Sequence, residues 1–192
     1  MSTEPETIPL LGLDFANMDA EAAARWIAAR PADAPFGYVV TPNADHFVRL
    51  SRRPELMRVY QGAVLRLLDS RVVAGMARLL GLRAPAVATG SDVTVTLLMG
   101  HLAPGERVTI IGLRPSLLPA LIARCHLGPP AHFDPPMGME RDPAAIATAS
   151  ALGSPCQKIL PAADPLSHRI QMLAIEWRWG GFIAVIVVVE PI

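Results

Sequence analysis

The chain has 192 residues, a formal net charge of zero, 52% hydrophobic residues and 18% charged residues. This length fits one domain with a sizeable core, and the balanced charge argues against nucleic acid as the main partner. No apolar run reaches the roughly 18 residues that span a bilayer, and the acidic, polar N-terminus lacks the pattern of a signal peptide, so we expect a cytoplasmic protein.

Strand and helix patterns alternate along most of the chain. After a flexible N-terminus over 1–10, the pattern predicts a strand at 11–15, a helix at 20–29, a strand at 36–40, helices at 44–52 and 55–61, a strand at 64–68, helices at 72–80 and 90–101, a strand at 107–112, a helix at 117–126, a strand at 130–133 and a helix from 142. This alternation is typical of βαβ units, so we predict an α/β protein with a mainly parallel sheet.

The predicted α/β domain covers 11–150, and a divergent segment, 151–192, is expected to pack on it. That segment ends in an apolar run, 182–189, which predicts a buried or edge strand.

Three polar clusters follow apolar runs in this pattern. They are Thr41-Pro42-Asn43-Ala44-Asp45-His46, Leu68-Asp69-Ser70 and Thr89-Gly90-Ser91-Asp92. Loops at the ends of buried strands carry the ligand sites of α/β proteins. We therefore expect the three clusters to form one composite site.

Asp69 is the first candidate for a chemical role. It directly follows an apolar strand, where poor solvation would raise the pKa of its carboxyl group and suit it to general-base work. The alternative interpretation is an N-cap for the helix that begins at Arg71.

The cluster around Pro42 also has two interpretations. Thr41 and Asn43 can hydrogen-bond a sugar or a base, or they can serve only the turn and the cap of the next helix. Asp45 and His46 are adjacent on a helix and diverge, so His46 is expected as a lone surface residue.

Two helix starts are candidates for anion binding. Gly90, Ser91 and Asp92 open a helix whose backbone N–H groups can face a phosphate, although Asp92 would repel it; the alternative is an ordinary capping loop. At Gly112-Leu113-Arg114-Pro115-Ser116, a strand end, a glycine, an arginine and a helix start come together. The segment lacks the Gly-Lys-Ser/Thr ending of a P-loop, and the sequence contains no metal-ligand spacing.

Taken together, the clusters resemble the WecG/TagA/CpsF family of bacterial glycosyltransferases. The resemblance extends from about residue 11 to 141. It is carried by Val39-Val40-Thr41-Pro42-Asn43-Ala44-Asp45-His46, Leu68-Asp69-Ser70-Arg71-Val72-Val73, Leu80-Gly81-Leu82, Thr89-Gly90-Ser91-Asp92, Ile110-Ile111-Gly112 and Pro135-Pro136-Met137-Gly138.

The resemblance implies a Rossmann-like, three-layer α/β enzyme that takes a sugar from a UDP-sugar. The acceptor would be a sugar on a polyprenyl diphosphate at the inner face of the membrane, with peripheral membrane contact. The products would feed surface polysaccharides of the exopolysaccharide, capsule or teichoic acid type. The family implies no metal cofactor, and a homo-oligomer is left open.

The resemblance also implies roles for single residues. Asp69 matches the proposed catalytic base, Thr41 and Asn43 match pocket residues, and Gln157 matches the glutamine of a Pro-x-Gln-Glu motif. Backbone amides near Gly90 or Gly112 would hold the diphosphate.

The chain departs from the family pattern beyond this motif. Lys158 replaces the motif's glutamate, and the family's glycine-rich strand and arginine-bearing tail are not legible in 159–192. The alternative hypotheses are therefore an inactive or truncated member that keeps nucleotide binding, and a generic Rossmann-like nucleotide-binding module.

Overall fold

The computed structural model describes residues 4–31, 37–102, 107–111, 113–134, 143–144, 147, 171–178 and 182–190. The chain divides into two compact units, Met1–Arg30 with Tyr38–His101, and Pro31–Gly37 with Leu102–Ile192. Helices and strands occur in both units, with parallel strand pairs in each. The predicted α/β class of Rossmann-like type is confirmed.

The first unit carries the elements that surround the polar clusters. Its strands are β1 (Thr7–Leu10), β2 (Leu13–Ala16), β3 (Gly37–Val40) and β4 (Leu65–Arg66). Its helices are α1 (Ala20–Ala28), α2 (Ala44–Arg52), α3 (Met57–Gln61), α4 (Arg71–Leu79) and α5 (Gly90–Gly100), with a 3-10 turn at Pro54–Leu56 before α3.

Residues 7–16 form a β-hairpin. The sequence predicted a flexible N-terminus over 1–10 and a strand over 11–15 instead. β1 pairs antiparallel with β2, and Leu10 lies opposite Leu13. Between them, Leu11 and Gly12 have φ angles of 51° and 82°. A two-residue hairpin turn of this kind needs positive φ at both positions, which glycine adopts without strain. Both predictions are corrected accordingly: Thr7–Leu10 is a strand, and Leu11 belongs to its turn.

The core of the first unit lies between this hairpin, α2, α4 and the strand end before Asp69. Its buried members are Leu10, Leu13, Phe15, Leu50, Leu68, Ala74 and Ala77. Phe15 and Leu68 are completely buried. From α4 the fully buried residues are Ala74 and Ala77, and Val73 packs against the cluster while partly buried.

β3 and β4 form a parallel pair that leads directly to the polar loops. Val39 lies opposite Leu65, and Val40 lies opposite Arg66. The predicted strand over 64–68 is shorter than expected, since β4 has two residues. Leu68 forms a separate parallel bridge to Val87. The two strand ends and the segment before α5 therefore run side by side.

Gly62, at the end of α3, packs against the ring of Tyr38. An added Cβ would lie 2.7 Å from Tyr38 Oη and 3.3 Å from the Arg58 carbonyl. Tyr38 Oη donates a hydrogen bond to the Val59 carbonyl at 2.5 Å. We expect Gly62→Ala to displace the tyrosine and lower the free energy of unfolding by about 1–3 kcal/mol. Urea denaturation measures this change.

The matched control is Gly75→Ala in α4, where an added Cβ meets no atom within 4 Å. Alanine favours a helix over glycine by up to about 1 kcal/mol, so this variant should be slightly more stable than the wild type. A Gly62→Ala variant as stable as Gly75→Ala would contradict the packing described here.

The second unit is built around β5 (Arg107–Ile111). Its other elements are a 3-10 turn at Pro115–Leu117, α6 (Leu118–Cys125), β6 (Ala131–Phe133), β7 (Gln171–Arg178) and β8 (Phe182–Glu190). β5 pairs parallel with β6 and antiparallel with β8, which also pairs antiparallel with β7. The strand predicted at 182–189 is confirmed and lies between two strands. A domain boundary at residue 150 stays a prediction.

Candidate functional site

The three polar loops of the first unit meet through hydrogen bonds around Asp69. The Asp69 N–H donates to the Pro42 carbonyl at 3.0 Å. The Ala88 N–H donates to the Leu68 carbonyl at 3.0 Å, and the Gly90 N–H donates to Asp69 Oδ2 at 3.1 Å. Asp69 is therefore bonded to both other loops, and the prediction that the three clusters lie together is confirmed.

Asp69 is not the N-cap of α4. The cap is Ser70, whose hydroxyl oxygen accepts a hydrogen bond from the Val73 N–H at 3.1 Å. The alternative interpretation of Asp69 as a capping residue is therefore wrong. Because its neighbour caps the helix, the Asp69 carboxylate is directed to the start of α5 instead.

The surroundings of the half-buried Asp69 shift the pKa of its carboxyl group. Burial is the largest cause and raises the pKa of the Asp69 carboxyl group. The Gly90 N–H and His46 oppose this rise, while the negative charge of Asp92 adds to it. A carboxylate that is poorly solvated yet held in place by a hydrogen bond suits proton abstraction.

Asn43 caps α2 and fixes His46 beside it. Asn43 Oδ1 accepts hydrogen bonds from the backbone N–H groups of Asp45 and His46, at 3.0 and 3.2 Å. The Asn43 N–H donates to His46 Nδ1 at 3.0 Å, which completes a capping box. The capping interpretation of Asn43 is confirmed, and its side-chain nitrogen stays a candidate ligand donor.

His46 is buried, with 8% of its surface exposed, and its ring lies edge-on to Tyr60 at 5.9 Å between centroids. The prediction of a lone surface histidine is therefore wrong. The Asn-x-x-His spacing was the available signal, because the third helical residue of a capping box turns its side chain back toward the cap.

Thr41 lies at the end of β3 and is 7% exposed. Only a small part of its side chain is accessible to a ligand. Its role as a pocket residue stays a prediction.

The start of α5 has fewer accessible amides than the sequence suggested. The Gly90 N–H is bonded to Asp69, the Asp92 N–H donates to Thr89 Oγ1 at 3.1 Å, and the Val93 N–H donates to the Thr89 carbonyl at 3.0 Å. The Gly90 N–H donates to Asp69 in this structure, and phosphate binding by the backbone near Gly90 stays a prediction. Ser91 and Asp92 are both exposed.

The remaining predicted site residues belong to the second unit. Arg114 is exposed and directly precedes the 3-10 turn. The carbonyl of its neighbour Leu113 accepts a hydrogen bond from His132 Nε2 at 2.6 Å, which anchors this segment to β6. Gly112 and Gln157 lie outside the described residues, as does the proline-glycine piece at 135–138. The roles predicted for them stay predictions.

Among the residues that the structure describes, no three His, Cys, Asp or Glu side chains are grouped closely enough to hold a metal ion. Within the same part of the chain, no helix has both the length and the apolar character needed to cross a membrane.

Comparison with known protein families finds a match over most of the chain. The model of the family described as "Glycosyl transferase WecG/TagA/CpsF family" matches residues 8–153, which is more than half of the chain. The matched stretch contains all three polar loops. No curated protein matches the chain.

Proposed function

The chain belongs to the WecG/TagA/CpsF family of glycosyltransferases, which act in polysaccharide biosynthesis, and we propose that it uses a UDP-sugar as donor. The proposed acceptor is a sugar carried on a polyprenyl diphosphate, and the product enters an exopolysaccharide, capsule or teichoic acid pathway. The observation that supports this most directly is a half-buried Asp69 bonded to two other polar loops inside the matched stretch.

In the proposed reaction, an acceptor hydroxyl attacks the anomeric carbon of the donor sugar. Its proton moves to Asp69, the new glycosidic C–O bond forms, and the bond from the anomeric carbon to the diphosphate oxygen breaks. UDP leaves with the electron pair. A single carboxylate suffices for such an inverting transfer if the leaving diphosphate is stabilised.

The hydrogen bond from Gly90 defines how Asp69 would act. Oδ2 is engaged by the Gly90 N–H, so Oδ1 is the oxygen proposed to take the proton. Nearby, the side-chain nitrogen of Asn43 would donate to a donor-sugar or uracil oxygen, and Thr41 would contact the ligand through its small exposed area. Ser91 and Asp92 are proposed to bind sugar hydroxyls, since a carboxylate at Asp92 repels a phosphate.

For the diphosphate, the proposed ligands are Arg114 and the backbone at Gly112. An exposed guanidinium can form paired hydrogen bonds with phosphate oxygens. Gln157 is a further proposed pocket residue. The reaction is proposed to need no metal, which a transfer assay in EDTA tests.

The rate of transfer should rise with pH through the ionisation of Asp69. Because the base must be deprotonated, and because burial raises the pKa of Asp69, the acidic limb of kcat/KM should lie above the usual aspartate range. Initial rates measured across the acidic range give this limb, and circular dichroism at each pH confirms that the chain stays folded. A limb at the pH of an ordinary exposed aspartate would contradict the proposed role.

The alternative function is nucleotide binding without catalysis. It is favoured by the end of the family match at residue 153, before Gln157 and Lys158. Calorimetry with UDP and several UDP-sugars distinguishes the two. Preference for one UDP-sugar over UDP supports a donor site, whereas binding of UDP with no added contribution from any sugar supports the alternative.

A further inference from the structure

Helix α4 exposes its largest apolar side chains. Val72, Met76 and Leu79 are 67%, 59% and 87% exposed, and Leu80 and Leu82 just beyond the helix are 71% and 54% exposed. These five residues are called the α4 face. In the helix, positions 72, 76 and 79 are spaced by four and three residues and share one side.

The other side of the helix packs on the core with Ala74 and Ala77, which are buried, and with Val73, which is partly buried. Burying large apolar side chains is normally favourable, so a helix that turns alanines and one valine to the core and exposes leucine and methionine is unusual for a surface in contact with water. The α4 face therefore has the character of a contact surface.

The charge around the α4 face is positive. The segment 71–83 contains Arg71, Arg78 and Arg83 and no acidic residue. All three arginines are exposed, and Arg83 pairs with Glu6 at 2.7 Å. A helix with a large apolar side flanked by arginines matches the pattern of helices that lie in the plane of a membrane surface.

We propose that the α4 face binds the surface of an anionic lipid bilayer. The helix spans nine residues, or about 13 Å, so it would lie along the membrane with its apolar side chains among the acyl chains. The arginines would meet anionic headgroups. α4 begins two residues after Asp69, so this contact would hold the proposed base close to the membrane. The inference rests on the proposed function for its lipid-linked acceptor.

A bilayer fits the α4 face better than a second copy of the chain does. Two copies joined through the same face would bring Arg71 and Arg78 of each copy together, and the segment 71–83 contains no acid to offset these charges. Arg83 is already paired with Glu6. An anionic membrane supplies the opposite charge. Each arginine near its surface would raise the binding constant about five-fold.

The test is sedimentation of the full chain with vesicles of phosphatidylglycerol and phosphatidylcholine, and with vesicles of phosphatidylcholine alone. The double variant Met76→Asn with Leu79→Asn should bind the mixed vesicles at least about ten-fold more weakly than the wild type. The matched control is Met99→Asn with Val95→Asn on α5, whose side chains are 54% and 40% exposed. It should bind like the wild type.

A charge variant, Arg71→Gln with Arg78→Gln, should weaken binding to the mixed vesicles and leave binding to phosphatidylcholine unchanged. The proposal is overturned if the wild type does not bind the mixed vesicles, or if the Met76/Leu79 variant binds them normally. One further outcome would overturn it: sedimentation without lipid shows that the wild type is an oligomer and the Met76/Leu79 variant a monomer, while this variant still binds the vesicles. The α4 face would then be an interface between copies of the chain.

Vesicle binding needs neither donor nor acceptor, so it is read independently of the proposed reaction. The Met76/Leu79 variant should transfer sugar normally to a water-soluble acceptor analogue and more slowly to an acceptor embedded in vesicles. If the wild type transfers no sugar in either assay, the proposed function is rejected. The conclusion from vesicle binding is unaffected.

Discussion

Replacing Asp69 by asparagine should lower kcat/KM for sugar transfer by at least about 100-fold, which is the usual contribution of a general base. Asparagine cannot take the proton of the acceptor hydroxyl. Its side-chain oxygen can still accept the hydrogen bond from the Gly90 N–H, so the loops should keep their arrangement. Binding of the UDP-sugar, measured by calorimetry, should change little.

The same variant should be at least as stable as the wild type at neutral pH. Because the folded-state pKa of Asp69 is raised, the folded chain holds this proton more tightly than the unfolded chain does. Stability is therefore lost as pH rises through the interval between the unfolded and folded pKa values, and ionised Asp69 costs stability above it. Removing the charge removes this cost, a trade of stability for activity that is common at functional sites.

Asp14→Asn is the control for both the transfer assay and the stability measurement, since Asp14 is an exposed acid on β2. It should keep wild-type transfer and wild-type stability. Near-normal turnover by Asp69→Asn would remove Asp69 as the base. A large loss of stability in that variant would instead make Asp69 a structural residue.

Replacing Leu68 by alanine should lower the free energy of unfolding by about 2–5 kcal/mol. Leu68 is completely buried in the core cluster, and its carbonyl accepts the hydrogen bond from Ala88. Domains of this size are stable by only about 5–15 kcal/mol, so the loss is a large fraction of the total. Urea denaturation followed by circular dichroism measures it.

The control is Leu80→Ala, which removes the same atoms from a side chain that is 71% exposed. Its effect in water without lipid should stay within about 0.5 kcal/mol. Equal losses for the two leucines would mean that the core is not where the structure places it.

The local features of the fold could be predicted from the sequence because each depends on neighbouring residues. The helix over 44–52 has the predicted bounds, and its cap is Asn43, as the capping interpretation of this residue predicted. The hairpin turn was missed because Leu11, with a φ angle of 51°, is not a residue that normally signals a turn.

The site was only partly predictable. The meeting of the polar loops follows from the rule that parallel strands end at one edge of a sheet. The bond from Gly90 to Asp69 joins residues 21 positions apart. No local pattern encodes such a contact, which is why Asp69 could equally have been a cap. Burial along α4 was not predictable from hydropathy either. Hydropathy alone would bury Leu79 and expose Ala74, whereas in the structure Leu79 is exposed and Ala74 is buried in the core.

The most direct measurement is sugar transfer by the protein itself. The purified protein would be incubated with a panel of UDP-sugars and a polyprenyl-diphosphate-linked sugar, with and without EDTA. Mass spectrometry would then give the mass of the lipid product. We expect one added sugar from one preferred donor, released UDP, and at least about 100-fold slower transfer by Asp69→Asn. A folded protein that binds UDP-sugars but adds no sugar to any lipid-linked acceptor would contradict it.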